Sequence, residues 1–343
     1  MKRIPTLDGW RGIAIMLVLF DHFQDSLMGH YARPWTQTGQ HGVTIFFVLS
    51  GFLITSKLLQ GNIDLKRFYV GRFFRLMPAA WTFLAILLLF DRLTGVHLTS
   101  IAGVSACFFF YRNFAGDAGS AVTGHFWSLS LEEQFYLIWP FILLLAGARR
   151  CRWIAALASI ACAAYRWLFW AHYNRNLLNG QSQVRADALL IGCLMALLVA
   201  DSRILPAIAH WSKLWALPAL ICLVFCIGRF QWLPPLIESV SIAGLIAFTT
   251  LHSSSRLARP LSFLPLAWCG TISYSVYLWQ ELFMPFRSPF ALFFVMPLVA
   301  LGSYYCIERP SVRFGRWLTD ASTRGIPAGN SSPASDPEFP IGF

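Results

Sequence analysis

Charge is scarce in this chain: 13% of its 343 residues are Asp, Glu, Lys or Arg, where a soluble domain carries about 25%. Water would not solvate a surface so poor in charge, which excludes a soluble globular enzyme. Eight cysteines are present, yet no two form a Cys-x-x-Cys pair and nearly all lie inside apolar runs. They read as small hydrophobes rather than as a disulfide framework or a metal set. A P-loop, a dinucleotide fingerprint and metal-ligand spacing are all missing, and no internal repeat is visible. No basic run is long enough to serve nucleic acid. What the chain does have is apolar bulk: 57% hydrophobic residues, 30 Phe and 14 Trp, with a mean hydropathy of +0.57. Disordered chains lack these residues. The fold class that remains is an all-α polytopic membrane protein.

A spanning helix needs about 20 mostly apolar residues. Eleven runs qualify as candidates, near 10–28, 41–60, 77–95, 98–113, 127–147, 151–172, 186–201, 213–230, 236–252, 264–285 and 288–307. Asp21 and His22 interrupt the first run and no small-residue cleavage site follows, so it reads as a retained span rather than a signal peptide. Lys and Arg favour cytoplasmic loops. With the N-terminus inside, 19 of the 27 basic residues fall on one side, including Lys2, Arg3, Arg11, the group from Lys57 to Arg75, and the Arg149 cluster. That sidedness requires 98–113 to be short, re-entrant or interfacial. The expectation is therefore about ten transmembrane helices plus that segment, both termini cytoplasmic, in a bacterial inner membrane. Residues 1–318 form the membrane domain, and 319–343, rich in Gly, Pro and Ser, a disordered cytoplasmic tail. The net charge of +11 then sits mostly at the inner surface, where it suits anionic headgroups or an anionic cytosolic ligand.

Ionisable residues inside a span mark function by default. Arg11 and His22 are eleven residues apart, which returns a helix to within about 20° of the starting face and separates the two by about 16 Å. His22 then lies near mid-membrane as a candidate general base; the alternative is a structural histidine bonded to a neighbouring helix. Asp25 follows one turn later. In His125-Phe-Trp-Ser-Leu-Ser-Leu-Glu132-Glu133-Gln-Phe-Tyr136, two adjacent carboxylates enter a span, either as site residues or as acids at an outer cap. Arg72 and Arg75, one turn apart before Pro78, form either a clamp for phosphate or carboxylate or a lipid-headgroup contact. Arg185 and Asp187 open another span and read as pairing with water and lipid.

Together these segments resemble the acyltransferase-3 family of integral-membrane acyltransferases, which modify bacterial surface and secreted glycans. The resemblance covers about residues 5–315. It rests on Leu7-Asp8-Gly9-Trp10-Arg11-Gly12, the Arg11-x10-His22 pairing, Gly42 to Ile54, Arg72-x-x-Arg75, and Trp127 to Tyr136. Arg185-Ala-Asp187-Ala-Leu189, Tyr274-Ser-Val-Tyr277-Leu-Trp279 and Ile307-Glu308-Arg309-Pro310 complete it.

The resemblance implies transfer of an acyl group, usually acetyl, from cytosolic acyl-CoA to a hydroxyl of a glycan or lipid-linked sugar, with no metal. It implies His22 as catalytic base and Arg11 as a donor-site or supporting residue. Arg72 and Arg75 would meet the donor, and Glu132 and Glu133 would support the site. Three residues depart from the family pattern: Thr44 stands where Asp is common, Gln280 where His is common, and Gly71 where a third Arg is frequent. The form expected is the stand-alone one, without an appended soluble domain. A transporter or flippase with a His/Asp/Glu path is the alternative function. Direct transfer and a covalent acyl-Ser or acyl-His intermediate are both open to the sequence.

Overall fold

The computed structural model describes residues 4–28, 38–61, 63–115, 121–169, 181–227, 235–284 and 288–324. Among these residues the chain is helical, with no strand, as expected where lipid offers the backbone no hydrogen-bond partner. The helices are α1 (Pro5–Met28), α2 (Thr38–Leu58), α3 (Leu65–Thr94), α4 (Ile101–Phe108), α5 (Phe126–Phe169) and α6 (Ser182–Val199). They continue as α7 (Leu205–Ile227), α8 (Pro235–Leu251), α9 (Leu264–Phe283), α10 (Met296–Ser303) and α11 (Arg309–Arg324), with π-helical turns Ala291–Val295 and Tyr304–Glu308 around α10.

Six of the described helices are long and apolar enough to cross a membrane: α2, α3, α5, α6, α7 and the continuous stretch Ala291–Asp320. Within α5, Gly147 takes φ 73° and ψ 161°, which breaks it into segments 126–146 and 148–169, close to the two runs expected there. The 24 residues of α1 and 20 of α9 are long enough but more polar, and α8 is apolar but has 17 residues. The eight residues of α4 rise only about 12 Å, far short of a bilayer core of about 30 Å. The run 98–113 thus holds no crossing helix. The expected tail boundary at 319 is too early, because α11 continues to Arg324; residues 325–343 lie outside the described part, as does the side chain of Asp25.

The surface is apolar, and the interior, though built largely of apolar side chains, holds buried charges. Leu145 and Trp167 are 82% and 78% exposed, whereas Asp187 and Glu308 are 2% and 5% exposed. Lipid gives helices no hydrophobic reason to associate, so small residues that let backbones touch take over. Gly51 of α2 faces the Leu189 carbonyl of α6, and Gly192 of α6 faces the Val48 carbonyl of α2; a Cβ at either would collide with backbone. The same device at Gly12 and Gly270 seats α1 on α9. Helix α1 therefore packs closely on both α2 and α9. Arg67 of α3 pairs with Asp320 of α11 at 3.3 Å. Outside the spanning segments, Asp201 accepts from the Arg203 backbone N–H and pairs with Arg152 at 2.7 Å. These two interactions hold its carboxyl below the usual range.

Candidate active site

The polar part of the interior is a seam between α1, α3, α5 and α9, and it has two layers. The lower layer holds the expected arginines. The Arg72 guanidinium lies over the Tyr136 ring, 3.8 Å from its centroid, and its Nε is buried without a hydrogen-bond partner. The Tyr136 hydroxyl donates to Glu132 at 3.1 Å. Glu133 stands beside both Arg72 and Glu132 electrostatically, with a buried Oε1 that has no hydrogen-bond partner. Arg11 pairs with Asp8 at 3.4 Å and feels the charges of Arg75 and Arg72. Glu308 accepts from Ser275 at 2.9 Å and faces Arg75 and Arg11. Lys57 also senses Arg72, Arg75, Arg67 and Arg316. Cations from α1, α2, α3 and α11 therefore converge at one end of the bundle, partly balanced by Asp8, Glu132, Glu133 and Glu308. Five of the six expected site residues, all except His22, meet here. The two adjacent glutamates both join this cluster rather than forming an outer cap.

The upper layer lies about 16 Å higher by helix rise: His22 is eleven residues beyond Arg11 on α1, and His125 eleven before Tyr136 at the head of α5. One oxygen of Glu281 accepts from both the His125 backbone N–H, at 3.0 Å, and the His125 Nδ1, at 2.8 Å. His125 is buried, flanked by Phe83, Phe126 and Tyr277, and its Nε2 has no partner. His22 lies within the field of the same carboxylate and its Nδ1 is buried without a partner. Between the layers, Ser128 and Tyr277 share a 2.6 Å hydrogen bond, and Tyr277 senses Glu132.

Sequence reasoning missed Glu281, and gave Tyr277, Glu308 and His125 no role beyond their place in the motifs. Glu281 directly follows Gln280, a position already marked as unusual, and an acid inside an apolar span was the signal available. Arg185 and Asp187 do not pair with water and lipid. Asp187 holds the buried Arg166 at 2.6 Å, and Arg185 donates to the Thr44 hydroxyl at 3.1 Å. Burying each guanidinium requires a protein acceptor. No cluster of three His, Cys, Asp or Glu among the described residues could hold a metal.

Sequence similarity decides which family builds this seam. The family profile, described as an acyltransferase domain, matches residues 4–307. The chain belongs to the acyltransferase-3 family. Among curated relatives of this acyltransferase chain, the peptidoglycan O-acetyltransferase OatA of Listeria monocytogenes is 29% identical over 84% of this chain and 50% of its own length. YrhL of Bacillus subtilis, provisionally named as a peptidoglycan O-acetyltransferase, is 31% identical over 90% of this chain and 55% of its own. The O-acetyltransferase OatA of Staphylococcus aureus is 28% identical over 81% and 50%. The chain thus spans about half the length of the curated relatives it matches. No solved structure matches it.

Proposed function

We propose that the protein is a membrane O-acyltransferase moving an acyl group, acetyl by analogy with its relatives' names, from cytosolic acyl-CoA to a hydroxyl of a glycan or glycolipid. Peptidoglycan is the acceptor that two of those names carry. The observation that carries this reading is the two-layered seam. Arg72 and Arg75 offer guanidinium forks suited to the phosphates of CoA. A cavity of about 370 Å³, lined in part by Asp8, Trp268, Tyr305 and Arg309, opens at the same end of α1. In a ten-span topology with both termini cytoplasmic, this end faces the cytosol of a bacterial inner membrane, and the catalytic domain runs through the end of α11 at Arg324.

The long pantetheine arm would carry the thioester up the seam toward His22. The acceptor hydroxyl, entering from the outer side, loses its proton to the His22 imidazole as its oxygen bonds the acyl carbon. The C–S bond gives its electron pair to the CoA sulfur, which leaves as the thiol with a proton that His22 in turn gives up. The charge developing on the carbonyl oxygen requires a donor in a site of low dielectric. Arg11, Glu132 and Glu133 hold the lower layer that positions the donor.

The test uses the purified full chain in lipid nanodiscs with radiolabelled acetyl-CoA and peptidoglycan fragments. Label on the glycan and matching release of free CoA are expected. A transporter would leave the thioester intact, so failure to release CoA with any glycan acceptor would overturn the reading.

A further inference from the structure

His125 and Glu281 form a second chemical centre that the base role of His22 leaves unused. The Glu281 oxygen that bonds the His125 ring also accepts the His125 backbone N–H. It is thus an acceptor toward the ring, and Nδ1 carries the proton. A neutral imidazole has one proton, so Nε2 presents a bare lone pair. That lone pair is buried and meets no donor, in a cage of Phe83, Phe126 and Tyr277. A carboxylate-oriented imidazole with a free nitrogen is the arrangement of an activated nucleophile. The aromatic cage keeps out the water that would hydrolyse an acylimidazole.

Resting on the acyltransferase reading, we propose that His125 is a transient acyl carrier between a donor from one side of the membrane and an acceptor from the other. The Nε2 lone pair forms a bond to the thioester carbonyl carbon, and the C–S bond breaks with its electron pair leaving on the CoA sulfur. Glu281 stabilises the positive acylimidazolium through Nδ1–H. The acceptor oxygen then attacks the same carbon, His22 takes the hydroxyl proton, and the N–C bond returns its electrons to Nε2. The proton on His22 is released to balance the one taken up by the CoA thiolate. Two imidazoles beside one carboxylate thereby serve successive steps.

The experiment mixes the full chain in nanodiscs with radiolabelled acetyl-CoA and omits the acceptor. Wild type should release about one equivalent of CoA in a burst and retain acid-quenched label on the protein that hydroxylamine removes. His22→Ala should keep the burst, accumulate label and fail to pass it to glycan, with mass spectrometry locating the acetyl group on residue 125. His125→Gln should show no burst and no label while still binding acetyl-CoA. Glu281→Gln, which keeps the ring in place, should slow labelling and serves as the second variant if His125→Gln does not fold. Label on any other residue, wild-type CoA release by His125→Gln, or glycan acetylation by wild type with no trapped label in His22→Ala each overturns the relay and leaves the acyltransferase reading standing. Absence of acetyl transfer to any acceptor removes that reading and the relay with it.

Discussion

Replacing both Arg72 and Arg75 with Lys keeps two positive charges and removes two guanidinium planes. Arg72 is stacked on Tyr136 at 3.8 Å, a contact worth about 0.5–2 kcal/mol that orients the fork. A hydrogen bond to a charged group is worth about 1.5–3 kcal/mol, and Lys retains part of it as a point charge. The net loss of donor affinity should be about 1–3 kcal/mol, or about 5- to 150-fold in Kd. Calorimetry with a non-hydrolysable acetyl-CoA analogue reads this directly. Tyr136→Phe is the internal control: it keeps the ring under Arg72 and loses the hydroxyl's 3.1 Å bond to Glu132 and its bond with Ser50, so affinity should change by about threefold or less. The double Lys variant should still insert normally, because topology follows charge. If the arginines only touch lipid headgroups, charge is sufficient. Equal affinities of the double Lys variant and wild type would then refute the clamp.

Four further outcomes are expected. His22→Ala should leave acetyl-CoA affinity near normal and reduce glycan acetylation by about 100-fold or more, measured as label on glycan. Gly192→Val should destabilise the α2–α6 contact by about 1–3 kcal/mol, because its side chain meets the Val48 carbonyl rather than a movable group. A thiol-reactive dye reports this as earlier exposure of buried Cys107, Cys151, Cys193 and Cys226 on heating. Asp187→Asn should cost about 3–5 kcal/mol by leaving the Arg166 charge buried and uncompensated, and Arg166→Met with Asp187→Leu should recover most of the loss in the same melt. Single cysteines at Lys66 and Arg150 should label from the cytosol and one at Gly116, outside the described residues, from the opposite face; cytosolic labelling of position 116 contradicts the ten-span topology.

The sequence by itself determined the helices, because a bilayer leaves the backbone few alternatives and apolar runs of sufficient length announce themselves. It also determined the Arg11–His22 spacing, since eleven residues on one regular helix fix both face and rise. The Arg72–Arg75 pair was legible for the same reason: residues one turn apart share a face whatever surrounds them. The brevity of 98–113 followed from charge sidedness, which acts on whole loops rather than on contacts. Only the tertiary structure decided which partners met across helices. His125 and Glu281 are 156 residues apart, and neither helix alone records the rotation that turns them toward each other. The same holds for Arg166 with Asp187, and for Arg185 with the Thr44 hydroxyl, where the sequence had suggested only water and lipid. Hydropathy sets how deep a residue sits in the membrane. The azimuth of each helix is set by packing, here by glycines at which a Cβ would strike the neighbouring backbone, and that azimuth turns scattered polar residues into one seam.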